Sequence, residues 1–310
     1  MHTRAVAAAL GALLGFSALI VPTSTAHAAE KDHGPVVVAH RGASAYAPEN
    51  TLEAVDKADE LDTIWVENDV QRTRDGALVV IHDTNLKRTT DAEEVFPDRS
   101  PWNVADFTLA EIKRLDAGSW FSPEYEGARV PTLREYLDRV EDNHQKLLLE
   151  LKAPELYPGV EVQTLWVLFR EGWLDRGHVR SKLIIQSFSA DAIRTVHLFR
   201  PDVKTGFLGT PAVADLPAYA EFTDQINPSH GTVNPDYVKA VHSLRGPHGH
   251  SLELFTWTVN DGPTAARLAG YGVDGIITNK PDVVRDATGG VSADTGPGAS
   301  REPAGATATP

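Results

Sequence analysis

Two acidic residues, Glu67 and Asp69, sit two positions apart at the end of an apolar run through Ile64, Trp65 and Val66. On a β-strand, residues i and i+2 face the same side, so both carboxylates share one face. Like charges this close raise each other's pKa unless a positive charge stands between them. A hard divalent cation, Mg²⁺ or Ca²⁺, takes such oxygen ligands. A second apolar run, Leu78 to Ile81, ends in His82. An oxygen-ligated metal beside a titratable imidazole is the equipment of metal-assisted hydrolysis. The two-apart spacing recurs in Glu150 and Lys152, after Lys146 to Leu149, and His40-Arg41 closes the run Val36 to Ala39. Glu150 completes three carboxylates for one cation, while Arg41 and Lys152 suit an anionic substrate, arginine gripping phosphate through paired hydrogen bonds. Taken alone, Glu150 and Lys152 read equally well as a rim salt bridge. The coincidence of several such strand ends favours chemistry.

The elements that must position these residues are strand-length apolar runs separated by helix-like stretches. Strands are expected at 35–40, 63–70, 78–82, 146–152, 182–188, 204–208, 223–228, 252–259 and 274–278. Runs without alternation suit strands buried on both faces of a parallel sheet. Asp75-Gly76 before the third run looks like a hairpin turn, so that pair is expected to be a local excursion. Helices are expected after Pro48-Glu49-Asn50-Thr51, over 132–143, 160–173, 191–199, 236–244 and 264–271. The alternation predicts an α/β fold, a (β/α)8 TIM barrel, rather than an open doubly wound sheet, which would want a Gly-rich phosphate loop that His40-Arg41-Gly42 is not. Residues 84–130 lack strong periodicity and are too long for a simple loop. They read as a small insertion after the second strand region, folded over the mouth, with Trp102, Trp120 and Phe121 as its miniature core. In a barrel the carboxyl ends of the strands share one face, and every candidate above falls there.

Residues 1–28 carry a positive start at Arg4, an apolar run from Ala7 to Val21 and Ala26-His27-Ala28, the layout of a secretory signal peptide. The apolar run is short of the ~20 residues that a membrane span needs. Cleavage after Ala28 removes Arg4 and no acidic residue, taking the net charge from −14 to −15. An acidic surface argues against nucleic-acid binding and against stable membrane association. A secreted, extracellular chain acting on a small molecule, as a monomer, is the expectation. No cysteine is present, so stability rests on the core and on bound metal. Residues 286–310, rich in Gly, Ala, Ser, Thr and Pro, read as a disordered tail. The span 32–285 is the size of one barrel domain, roughly 250 residues.

The motifs, taken in order, resemble the glycerophosphodiester phosphodiesterase family. They are His40-Arg41-Gly42, Pro48-Glu49-Asn50-Thr51, Glu67-x-Asp69-Val70, Asp75-Gly76, His82-Asp83 and Arg88-Thr89-Thr90. Pro131-Thr132-Leu133, Glu150-Leu151-Lys152, Gln186-Ser187-Phe188, Trp257-Thr258-Val259-Asn260 and Asp274-Gly275-Ile276-Ile277-Thr278 follow, so the likeness spans Val36 to Val284. The resemblance implies hydrolysis of glycerophosphodiesters, such as glycerophosphocholine and glycerophosphoethanolamine, to glycerol 3-phosphate and an alcohol. It implies a divalent cation on Glu67, Asp69 and Glu150, general acid/base work by His40 and His82, and phosphate binding by Arg41 and Lys152. It also implies attack by the glycerol 2-hydroxyl, giving a cyclic phosphate that water opens. Ca²⁺ is preferred because an exported enzyme meets more of it, and Mg²⁺ is the alternative. Which histidine is acid and which base stays open.

Trp257 fits two roles, barrel filling or a wall for the substrate's alcohol group. Asn68 departs from the resemblance, standing where an apolar residue under a helix is usual, and is expected to find a hydrogen bond there. Asn279, where some relatives carry aspartate, is expected to matter little. His248-Gly249-His250 reads as a solvated loop without nearby acids. His144, His178, His197 and His242 read as surface or rim residues, and His230 as a residue near the mouth. Rival activities on the same scaffold are phosphodiester cleavage of lysophospholipids or sphingolipids, of the phospholipase D type, and cleavage of wall teichoic acid. A rival from another class is a non-catalytic barrel binding phosphorylated ligands, which would lack one of the expected residues.

Overall fold

The computed structural model describes residues 34–289. The expected signal peptide and nearly all of the expected tail lie outside the described residues. Nine strands form one sheet: β1 (Val36–Ala39), β2 (Trp65–Arg72), β3 (Leu78–Val80), β4 (Lys146–Leu151), β5 (Leu183–Ser187), β6 (Lys204–Leu208), β7 (Gln225–Asn227), β8 (Glu253–Thr256) and β9 (Gly275–Thr278). Eight of them run parallel, and β1 pairs with both β2 and β9, so the sheet closes on itself. This is the expected (β/α)8 barrel. β3 is the ninth strand and pairs antiparallel with the far end of β2, as the Asp75-Gly76 turn suggested. Its ladder stops at Val80, before His82, where the expected strand ran on.

The outer helices are α1 (Leu52–Glu60), α4 (Leu133–Asp142), α5 (Val160–Arg170), α6 (Arg176–Ser181), α7 (Ala190–Phe199), α8 (Leu216–Tyr219), α9 (Pro235–His242), α10 (Gly262–Gly270) and α11 (Pro281–Thr288), with α2 (Ala92–Val95) and α3 (Leu109–Ile112) inside the insertion. Local chemistry starts them. The Thr51 hydroxyl accepts from Ala54 N at the head of α1, and Thr132 with Glu135 forms a reciprocal capping box on α4. The apolar faces of α1, α4, α5 and α7 bury against the outer faces of β2, β4 and β5 in one cluster that includes Val55, Ala58, Val66, Val70, Tyr136, Leu137, Leu149 and Leu168. A second cluster packs α9, α10 and α11 on the opposite side.

Inside the barrel, Val38, Leu148, Ile184, Phe255 and Ile277 form an apolar plug. Gly275 is required there, since a Cβ would stand 2.5 Å from the Phe255 ring. The insertion has its own core of Val79, Ile81, Leu86, Val104, Phe107, Ile112, Leu115 and Val130, with Trp102 against it. Trp120 and Phe121 are not in that core, contrary to expectation. Trp120 is 40% exposed and meets Phe121 edge-on at 5.7 Å. Aliphatic residues and Phe107 fill the space that Trp120 and Phe121 were expected to fill. Among the described residues, no helix is long and apolar enough to cross a membrane.

Candidate active site

Strand register builds the acidic centre. Asp69 on β2 stands directly opposite Glu150 on β4, and Glu67 lies two residues before Asp69 on the same face. The three side chains are buried, and each offers an oxygen within 4.8 Å of the others. Burial first, and then the charges of Asp69 and Glu150, pushes the Glu67 carboxyl well above the usual range. Burial and Asp69 likewise push Glu150 up to about 7. Burial also acts on Asp69, but Arg41, Lys152 and His82 outweigh it and hold that carboxyl low. Three buried carboxylates that cannot all ionise alone form an oxygen-only donor set, which a hard divalent cation fits.

The basic residues brace this centre. Lys152 Nζ lies 3.0 Å from Glu150 and 3.4 Å from Asp69. Arg41 Nε is 3.4 Å from Asp69 Oδ2, and its Nη1 donates to Glu49 at 2.8 Å. The Arg41 backbone N–H donates to Glu67 Oε2 at 2.9 Å. A left-handed backbone at Arg41 (φ 57°) and Gly42 (φ 78°) aims this group, and a Cβ on Gly42 would meet Ala54 at 2.6 Å. Asn50, also left-handed, donates to Asp69 Oδ2 at 2.8 Å. Sequence reading placed Asn50 and Glu49 only in the opening of α1. Their site contacts follow from a tight loop turn that leaves no periodic signal.

The two histidines are held differently. His40, at the end of β1, donates through Nδ1 to the Asn279 amide oxygen at 2.7 Å, leaving Nε2 as its lone-pair nitrogen. Burial, with Arg41 adding to it, lowers the His40 pKa to about 4. His82 faces the Asp83 carboxylate through Nδ1, also at 2.7 Å. Burial lowers the His82 pKa too, opposed by the charge of Asp69 and by Asp83. Asp83 is itself held down to about 2, chiefly by Arg88. Asn279 is thus the direct partner of His40, and its own backbone N–H is tied to Asn260 Oδ1 at 2.9 Å.

Six of these residues, His40, Arg41, Glu67, His82, Glu150 and Lys152, line one side of a cavity of about 110 Å³. Phe188, Leu208, Trp257 and Ile277 line the other. Phe188 and Trp257 meet edge-on at 5.5 Å, and Lys152 lies 5.6 Å over the Phe188 ring. Trp257 packs against the barrel plug, as barrel filling requires, donates from Nε1 to Asn227 O, and also lines the cavity.

Two expectations fail on contacts between distant segments. His248 does meet an acid, Asp224 Oδ1, at 2.8 Å. Asn68 is fully buried with neither side-chain polar atom hydrogen-bonded, so the bond expected for it is missing. His178 and His242 are half-buried and paired with Glu141 and Asp274. His230 donates its backbone N–H to Trp257 O, beside the cavity wall.

The model of the Glycerophosphoryl diester phosphodiesterase family matches residues 40–283. A glycerophosphodiester phosphodiesterase of Bacillus subtilis is 37% identical over 262 residues, covering 80% of this chain and 84% of the relative. One from Caldanaerobacter subterraneus subsp. tengcongensis is 35% identical over 257 residues, covering 80% and 96%. Among solved structures, a phosphodiesterase of Oleispira antarctica in complex with the product sn-glycerol-3-phosphate superposes with a TM-score of 0.71 at 28% identity, over 82% of this chain and 96% of that one.

Proposed function

This chain belongs to the glycerophosphoryl diester phosphodiesterase family, and we propose that it hydrolyses glycerophosphodiesters, such as glycerophosphocholine and glycerophosphoethanolamine, to glycerol 3-phosphate and an alcohol. It is an enzyme, a phosphoric diester hydrolase. One observation carries the finer reading: three buried carboxylates, two imidazoles and two permanent cations meet around a single cavity.

Glu67, Asp69 and Glu150 would hold one divalent cation. When bound, it neutralises charge on the phosphoryl group and polarises a phosphoryl oxygen. Arg41 and Lys152 grip the phosphate oxygens and orient the phosphorus between the histidines. His40, neutral down to about pH 4 and with its Nε2 lone pair free, takes the proton of the attacking hydroxyl. His82, whose Nδ1 faces a carboxylate able to support the imidazolium, gives its proton to the leaving alcohol oxygen. With the glycerol 2-hydroxyl as nucleophile, the new O–P bond closes a cyclic phosphate as the alcohol's P–O bond breaks. Water then opens the ring with the proton transfers reversed. The aromatic wall of Phe188 and Trp257 receives the alcohol group. Ca²⁺ is the preferred cation and Mg²⁺ the alternative, and the enzyme works as a secreted monomer without stable membrane association.

The experiment is add-back of single metals to chelator-stripped enzyme, with glycerol 3-phosphate release as readout. Glycerophosphocholine, lysophosphatidylcholine and wall teichoic acid are offered side by side. Metal-dependent release from the first, and a fall of at least ~10²-fold in His40→Ala and His82→Ala with the fold intact, are expected. Full turnover after chelation removes the metal reading, and faster choline release from lysophosphatidylcholine, or faster glycerol 3-phosphate release from teichoic acid, replaces the substrate.

A further inference from the structure

We propose that Arg88, carried by the insertion, is a positioning residue that sets the proton donor and the phosphate-gripping arginine through one shared clamp. The inference rests on the role given above to His82. Arg88 donates from Nε and Nη2 to the two oxygens of Asp83 at 2.7 and 3.1 Å. It donates from Nη1 and Nη2 to the two oxygens of Glu49, both at 2.8 Å. Asp83 passes the restraint to His82 Nδ1 at 2.7 Å, and Glu49 passes it to Arg41 Nη1 at 2.8 Å. Arg41 Nε in turn reaches Asp69 at 3.4 Å. One guanidinium therefore ties a histidine at the end of the β2–β3 hairpin to an arginine at the end of β1.

Isolated exposed ion pairs contribute little, because two flexible side chains must be ordered in high dielectric. This arrangement differs in three ways. Both carboxylates are met bidentately, the geometry that arginine's planar fork favours over lysine's point charge. Glu49 and Asp83 are both largely shielded, so their charges are felt by the neighbours they touch. The Arg88 backbone is also anchored: Leu86, Thr89 and Thr90 are buried, Leu86 N–H donates to Trp102 O, and Thr90 Oγ1 donates to Leu86 O. The insertion core thus fixes where the guanidinium stands. On this reading the insertion is a working part of the site.

Without the clamp, Asp83 is free to swing and its full charge falls on His82, while Glu49 pulls on Arg41 alone. Arg88→Met should lower kcat by about 10- to 100-fold, the cost of a small misplacement of reacting groups, with KM little changed. Arg88→Lys, able to serve only one acid well, should recover part of that loss, and it stands in should the methionine variant not fold. The His82 limb of the pH–rate profile should move to higher pH in Arg88→Met, because Asp83 no longer shares its charge. In an Asp83→Asn background the same substitution should cost much less than in the parent. A kcat unchanged in Arg88→Lys and Arg88→Met overturns the proposal. So do losses that simply multiply with Asp83→Asn, or an unmoved limb. His82→Ala is assayed in parallel: if it retains parental turnover, the acid role of His82 fails by itself, whereas an inactive His82→Ala beside a fully active Arg88→Met refutes the clamp alone.

Discussion

Asn279 presents its amide oxygen 2.7 Å from Nδ1 of His40. A neutral amide fixes the tautomer without the full negative charge that would stabilise an imidazolium. Asn279→Asp supplies that charge, so the His40 pKa rises and the base is protonated over more of the working range. The acidic limb of kcat/KM is expected to shift upward by about one pH unit or more. A pH profile superposable on the parent's would show that residue 279 leaves the protonation of His40 alone.

The acidic centre makes stability depend on pH with a sign that metal reverses. In the metal-free protein Glu150 has a pKa raised to about 7, above its unfolded value. Between the unfolded value and about 7 this carboxyl binds more protons in the native state and adds stability as pH falls, while His40, lowered to about 4, acts in the opposite direction. With a cation bound, protons compete with it for the same oxygens, and stability falls with pH over that window. The loss of melting temperature caused by chelator is therefore expected to differ between pH 7 and pH 5, and Glu150→Gln should shrink that difference. Parallel slopes in the two conditions would argue that no cation sits on Glu150.

Asn68 buries an amide with no partner on either polar atom, at a position between two candidate ligands but on the outer face of β2. A buried polar group left unmatched costs about 1–3 kcal/mol. Asn68→Leu, close in volume and surrounded by the apolar cluster of α1 and α4, is expected to gain a similar amount, about 1–3 kcal/mol. The gain should appear as a higher denaturant midpoint at constant m, with turnover retained. Destabilisation would reveal a hydrogen-bonding task for this side chain.

The aromatic wall should govern the alcohol rather than the phosphate. Removing Phe188, which is half exposed in the cavity, takes away a face on which a quaternary ammonium can sit, worth about 0.5–1 kcal/mol at an exposed site. Phe188→Ala is expected to raise KM for glycerophosphocholine by a few-fold, with a smaller effect on glycerophosphoglycerol. Equal changes for both substrates would place the alcohol elsewhere.

What could be read from the chain, and what could not, divides along physical lines. Glu67, Asp69, Glu150 and Lys152 were legible because a strand's period of two is a local rule and apolar runs mark the staves of the barrel. The hairpin of β2 and β3 was legible from Asp75-Gly76. Glu49, Asn50, Asp83, Arg88 and Asn279 lay within quoted motifs but had no readable role. Their contacts join separate loops and depend on left-handed turns at Arg41 and Asn50, which side-chain periodicity does not encode. The pairing of His248 with Asp224 and the isolation of Asn68 are likewise outcomes of packing between distant segments. Trp120 was misplaced for a simpler reason: a large aromatic in an aperiodic stretch looks like core until aliphatic neighbours are seen to fill it.

Glu67 is oriented in part by the main chain of residue 41 rather than by that residue's side chain. Substitution at 41 can therefore remove the guanidinium while leaving the amide that steadies the carboxylate, provided the new residue tolerates the same left-handed turn, as glycine or asparagine does. The guanidinium and the amide that orients Glu67 are in this way genetically separable at a single codon. An Arg41→Asn protein keeps the main-chain bond to Glu67 and loses the guanidinium's contacts with Asp69 and Glu49, whereas Arg41→Pro would disturb both at once.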